Sequence, residues 1–252
     1  HIGYPEKLPE TYTKKIIDES LSLVENAQNL AKISIAHSWS KWNKPVDRSE
    51  WHMPAHMVNA YYDPQQNQIV FPAAILQAPF YSLEQSSSAN YGGIGAVIAH
   101  EISHAFDTNG ASFDENGSLN NWWQEADYKA FTERTDKIVE QFDGLDSYGA
   151  KVNGKLTVSE NVADLGGVAC ALEAAKQDDD FSARDFFINF ATIWRMKARP
   201  EYMQMLASID VHAPGKLRTN VTLTNFDDFH EEFDVKAGDP MWRAPEDRVI
   251  IW

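Results

Sequence analysis

Two histidines four residues apart, with a glutamate directly after the first, constrain this chain more than any other feature: Val97-Ile-Ala-His100-Glu101-Ile-Ser-His104. On a helix, positions i and i+4 lie about 40° apart around the axis, so both imidazoles can reach one metal ion. Glu101 then projects beside the ion, where its carboxylate can take a proton from water. The same helical wheel puts Ile94, Ile98, Ile102, Ala105 and Phe106 on the opposite side. The pattern predicts a helix from about Ile94 to Asp107, stopped by Thr108-Asn-Gly110, with the apolar side in a core and the other side presenting the ligands. The alternative is a pair of helix-surface histidines that happen to stand near a glutamate.

A tetrahedral catalytic zinc takes a third protein ligand and keeps its fourth position open. A third histidine six residues after the second would supply it, but that position is Gly110. The other supplier is a glutamate on a later helix, and Glu160-Asn-Val-Ala-Asp164-Leu-Gly-Gly167 is the candidate. Glu160 and Asp164 are one turn apart on one face, so the first can bind metal while the second orients a ligand histidine. Asp107, three residues after His104, is a second candidate orienter; it can also be read as a polar helix end. Glu160 has an alternative role as well, as the acidic member of a capping box with Thr157. Gly166 and Gly167 weaken a helix by propensity, and close approach of two helices would account for them.

Elsewhere, the first 45 residues read as helical, with apolar positions Ile16, Ile17, Leu21, Leu23, Val24, Leu30, Ile33 and Ile35. Residues 57–62 and 67–71 read as two strands of a hairpin around Asp63-Pro-Gln-Gln, the second ended by Pro72. Further helices are expected at 122–141, 159–176 and 184–198, with turns at Arg199-Pro-Glu, Ala213-Pro-Gly215 and Ala237-Gly-Asp-Pro240. The fold class is α+β, mainly helical with a small sheet, and no linker or repeat divides residues 1–252.

Composition narrows the partners. The 252 residues carry a net charge of −15 with no Lys/Arg cluster, so a nucleic-acid or anionic-membrane partner is not expected. No apolar run approaches the roughly 20 residues of a membrane span. The single cysteine, Cys170, sits in Val168-Ala-Cys-Ala-Leu172 and is expected in the core.

Taken together, these motifs resemble the neprilysin family of zinc endopeptidases. The resemblance rests on His100–Asp107 and Glu160–Gly167, and extends from Ile2-Gly-Tyr-Pro5 through Val58–Tyr62, Asn67–Pro72, Ile75–Phe80, Asn90–Gly95, Arg199–Tyr202 and Asp210–Arg218 to Trp252. It implies a thermolysin-like zincin domain that binds one zinc ion through His100, His104 and Glu160. Glu101 would be the general base, with Asp164 and Asp107 behind the ligand histidines. His212 would stabilise the tetrahedral intermediate and Arg218 would hold a substrate carbonyl. Asn59 and the backbone of Ala60 would pair with the peptide main chain, which agrees with the strand read there. Ile75, Phe80, Val97, Ile193 and Trp194 would line the pocket just after the scissile bond. By residue type alone those five are ordinary core positions, and His212 and Arg218 are loop and surface residues.

Family members are much longer than this chain, with an N-terminal helical domain that covers the active site, so a C-terminal catalytic fragment is expected. The animal members carry several disulfides, which this chain cannot form. That places it nearer the bacterial oligopeptidase branch and favours a cytoplasmic setting. The implied function is cleavage of short peptides on the amino side of hydrophobic residues, by a monomer. The competing reading is a zinc-bearing or metal-free peptide-binding fragment that is catalytically silent without the missing domain. A third, a hydrolase of non-peptide amides, suits the strand with Asn59 less well.

Overall fold

Tyr61 faces Val70 across a β-hairpin, and Ala60 and Tyr62 on either side of Tyr61 line one wall of a cleft. The computed structural model describes residues 1–252. In chain order the elements are β1 (Ile2–Gly3), α1 (Thr11–Lys14), α2 (Leu23–Ser40), β2 (Tyr61–Asp63), β3 (Gln68–Pro72), α3 (Ser87–Asn90), α4 (Ala96–Ser103), α5 (Glu125–Phe142), β4 (Asp146–Ser147), β5 (Ala150–Lys151), α6 (Gly154–Ala175), α7 (Ala183–Ile193), α8 (Pro200–Ile209), α9 (Gly215–Asn220) and α10 (Asp227–Glu232). The class is α+β and mainly helical. No helix is long and apolar enough to cross a membrane.

The principal sheet has the order β1-β3-β2, with β2 antiparallel and β1 parallel to β3. Asn67 closes the hairpin at φ 45°, a left-handed conformation that asparagine tolerates better than most residues. The first strand is shorter than expected. Residues 57–60 stay outside the ladder because the backbone N–H groups of Met57 and Asn59 bond locally to Pro54 and Met57. Asn59 and Ala60 therefore lead into an edge strand.

Helix α6 is the centre of the fold. Asn153 caps it, accepting from the backbone N–H groups of Lys155 and Leu156. Thr157 lies inside the helix, so the capping-box role for Glu160 does not apply. One side of α6 packs with α4 and α7 through Ala96, Val168, Leu172, Phe186, Phe187 and Phe190. Its other side packs with α5 and the C-terminal segment through Phe131, Phe142, Val162, Leu165, Val249 and Ile251.

Several expectations change. Helix α4 is shorter than the predicted 94–107, and it is preceded by a wide π-type turn at Tyr91–Gly95. Its burial is also reversed. His100 is buried against α6 and Glu101 is buried at the cleft, whereas Ile98, Ile102 and Phe106 are exposed. Ile94 alone of the large apolar residues on the expected core side is buried. Cys170 is exposed, because residues 170, 173 and 174 form the outward stripe of α6. Helix α7 ends at Ile193 instead of 198. The turn signal at Arg199-Pro is the start of α8, with proline in its first turn, and α9 and α10 follow in a region read only as turns. Near the start, Ile16 and Ile17 fall between helices, and α2, opened by a Ser22–Glu25 capping box, buries only Asn26.

Candidate metal centre

Where α4 crosses α6, the side chains of His100, His104 and Glu160 converge, with one ligand atom from each lying within 4.8 Å of the others. The Nε2 atoms of the two histidines are 3.0 Å apart. Glu160 Oε2 lies 3.3 Å from His100 Nε2 and 3.7 Å from His104 Nε2.

The far side of each imidazole is held by a carboxylate. His100 Nδ1 is 2.9 Å from Asp164 Oδ1, and His104 Nδ1 is 2.7 Å from Asp107 Oδ2. Ionised carboxylates only accept, so each Nδ1 carries a hydrogen, and in the neutral imidazoles each Nε2 lone pair faces the same point. Asp164 is locked in turn by the Arg218 fork, whose Nε and Nη2 donate to its two oxygens at 2.7 Å each. Asp107 Oδ1 accepts from the backbone N–H groups of Asn109 and Gly110, both at 2.7 Å.

Glu160 Oε2 is buried without a hydrogen-bond partner, although three imidazole nitrogens surround it. An orphaned carboxylate oxygen beside two converging imidazole nitrogens is what a bound cation would satisfy, displacing any proton they hold. Two imidazoles and one carboxylate form a donor set suited to catalytic zinc. The residues fit that ion.

The charges respond to this crowding. Burial works against a charged His100, but the Asp164 and Glu160 carboxylates more than offset it and hold the imidazole up at about 9. Burial likewise opposes ionisation of Glu160, yet His100 and His212 keep its carboxyl far below the usual range. Glu101 is pushed up, chiefly by burial.

These groups form the floor of a cleft of about 420 Å³. Asn59, Ala60, Ile75, Phe80, Val97, Asp107, Trp194, His212 and Arg218 all line it. Ile75 and Val97 are buried in one apolar cluster with Ala60, Phe71 and Ile94, against which Phe80 and Ile193 pack. Two sequence candidates do not line the cleft. Asp164 lies beneath it, and Ile193 lines an adjoining cavity behind Asn59, Trp194 and His212. Arg218 is buried rather than at the surface, with its guanidinium stacked 3.7 Å above the Trp194 ring.

Sequence reading missed Asp210, whose Oδ1 accepts from both Nδ1 and the backbone N–H of His212, at 2.8 and 3.0 Å. The spacing Asp210-x-His212 was the available signal. It also missed Ser159 and Asn109, which line the cleft beside the ligands.

Peptidase family M13 matches residues 59–249. Over its whole length the chain is 58% identical to a neutral endopeptidase of Lactococcus lactis subsp. lactis and covers 40% of that protein. The crystal structure of PepO from Lactobacillus rhamnosis HN001 superposes on all of this chain with a TM-score of 0.91 at 45% identity. An inhibitor complex of a Mycobacterium tuberculosis zinc metalloprotease also superposes with a TM-score of 0.91, at 38% identity. Each solved chain is covered to 40%, so this sequence spans well under half the length of these relatives.

Proposed function

The chain belongs to peptidase family M13, and on that premise we propose that it carries the catalytic centre of a zinc endopeptidase acting on oligopeptides. The observation that carries the reading is the triad His100, His104 and Glu160, with each histidine backed by a carboxylate and Glu101 beside them in the cleft. These three residues would hold one zinc ion per chain. When bound, zinc supplies a Lewis acid that polarises a carbonyl and makes water acidic enough to lose a proton near neutral pH.

Glu101 accepts that proton at its carboxylate and returns it to the leaving nitrogen. Its burial raises the basicity of the carboxylate, which suits it to both transfers. His212 directs Nε2–H at the developing oxyanion. Because its Nδ1–H is already given to Asp210, it can donate from Nε2 only as the imidazolium, and Glu160 is the main influence raising its pKa. One such donor is commonly worth about 3 kcal/mol in the barrier. Arg218, fixed by Asp164 and Trp194, holds a substrate carbonyl. Asn59 and the Ala60 backbone align the extended peptide beside the edge strand. The apolar wall of Ile75, Phe80, Val97 and Trp194, with Ile193 packed behind it, selects a hydrophobic residue just after the cut.

A second reading is supported by α2, whose Leu23, Val24, Ile35 and Trp39 are all more than half exposed. A chain with that much unpartnered apolar surface, spanning 40% of its relatives, could bind zinc and peptide yet need the remainder for turnover. Mass spectrometry of mixed peptides incubated with the zinc-loaded chain, with Glu101→Gln as control, separates the two. Cuts before apolar residues that vanish in the control support the endopeptidase. Zinc binding without any cleavage supports the silent fragment.

A further inference from the structure

The Asp107 carboxylate receives four hydrogen bonds, and only one of them comes from outside its own loop. His104 Nδ1 and the backbone N–H groups of Asn109 and Gly110 all belong to the segment that follows α4. The fourth donor is the hydroxyl of Ser159, on α6, bonded to Asp107 Oδ2. Its direction is settled by Asn109, whose side-chain N–H donates to Ser159 Oγ at 3.2 Å. With its oxygen accepting there, the single hydroxyl proton of Ser159 goes to Asp107.

We propose that Ser159 is a positioning residue of the metal centre: its hydroxyl ties the carboxylate that orients His104 to the helix carrying Glu160, and so sets two ligands in register. Ser159 directly precedes Glu160, and His104 directly contacts Asp107, so one hydrogen bond spans the gap between two ligand-bearing segments. Without it, Asp107 Oδ2 keeps only His104 as a partner, and the Asn109 amide loses its acceptor. The carboxylate then turns more freely, and the His104 lone pair is aimed less closely at the point that Glu160 faces. Such outer partners commonly change metal affinity by about 10- to 100-fold. The proposal rests on the reading of this cluster as a zinc centre.

The test is competition between the chain and a chromophoric chelator for zinc, in the parent, Ser159→Ala and Ser159→Thr. It is paired with the visible absorption of the cobalt(II)-substituted forms and with thermal unfolding of the metal-free forms. The expected result is a zinc Kd raised about tenfold in Ser159→Ala, an altered cobalt spectrum, an unchanged metal-free unfolding midpoint, and recovery of affinity and spectrum in Ser159→Thr. Parent-like affinity and spectrum in Ser159→Ala overturn the proposal. So does a lowered metal-free midpoint that Ser159→Thr does not restore, which marks a general packing role. A parent chain that binds no zinc overturns both this proposal and the zinc reading beneath it.

Discussion

Gly167 stands so close to His100 that a Cβ on it would lie 2.9 Å from the histidine's backbone nitrogen and 2.8 Å from the carbonyl oxygen of Ala96. Both neighbours are helical backbone, which cannot swing aside as a side chain would. The helix that supplies Glu160 and the helix that supplies the histidines therefore meet backbone to backbone.

Gly167→Ala should accordingly destabilise the chain, despite alanine's better helix propensity of about 1 kcal/mol. A net loss of about 1–3 kcal/mol is expected from overpacking, together with weaker zinc binding as α4 is displaced. Urea unfolding and chelator competition read the two effects. A more stable variant with parent affinity would show that the helices can part without cost.

Glu101→Gln keeps the size of the side chain and removes its basicity. Zinc affinity should stay close to the parent's, while kcat falls by at least about 100-fold, as expected for loss of a general base. Retention of full turnover would sink the proton-transfer role.

Asp210→Ala leaves His212 without the acceptor that orients its ring and supports its charge. Peptide turnover is expected to fall by about tenfold or more in kcat, with zinc binding retained, because the role proposed for His212 is at the oxyanion and not at the metal. Steady-state kinetics beside a zinc titration check this, and a large loss of zinc would reassign Asp210 to metal retention.

The metal-free chain should lose stability toward both ends of the pH scale. For Asp164, burial opposes the charge, but Arg218 overcomes it and holds the folded carboxyl at about 2, below its ordinary value of 3.8. Its contribution, roughly 2 kcal/mol, is present above pH 3.8 and is lost as pH falls toward 2. His100 has the opposite sign. Its folded value of about 9 exceeds 6.5, so its contribution is complete below pH 6.5 and disappears as pH rises through 9. Unfolding free energies across pH 2–10 test both limbs, and carbon-13 titration of Asp164 should report a midpoint well below those of exposed carboxylates. An ordinary Asp164 midpoint would remove its share of the acid limb and leave only that of Glu160.

The residues alone were enough to pick out His100, Glu101, His104 and Glu160 as one candidate centre. Ligand chemistry admits few residue types, and the helical repeat ties sequence spacing to direction. The hairpin around Asp63-Pro-Gln-Gln and the helix through Glu160 could be read for the same local reason. Tertiary structure decided which side of each helix is inside. The wheel of α4 separates ligands from isoleucines but does not say which side α6 will cover. Once Gly166 and Gly167 let α6 lie against the ligand side, His100 and Glu101 became buried, and Ile98, Ile102 and Phe106 were left facing out. The outward turn of Cys170 follows from the same packing, since the orientation of a helix about its own axis is set by its neighbours. Ser159, Asp107 and Asn109 meet across some fifty residues of chain, and their hydrogen bonds exist only because two helices cross at that point. Spacing in the sequence encodes directions within one helix, whereas contact between helices depends on how the whole core closes.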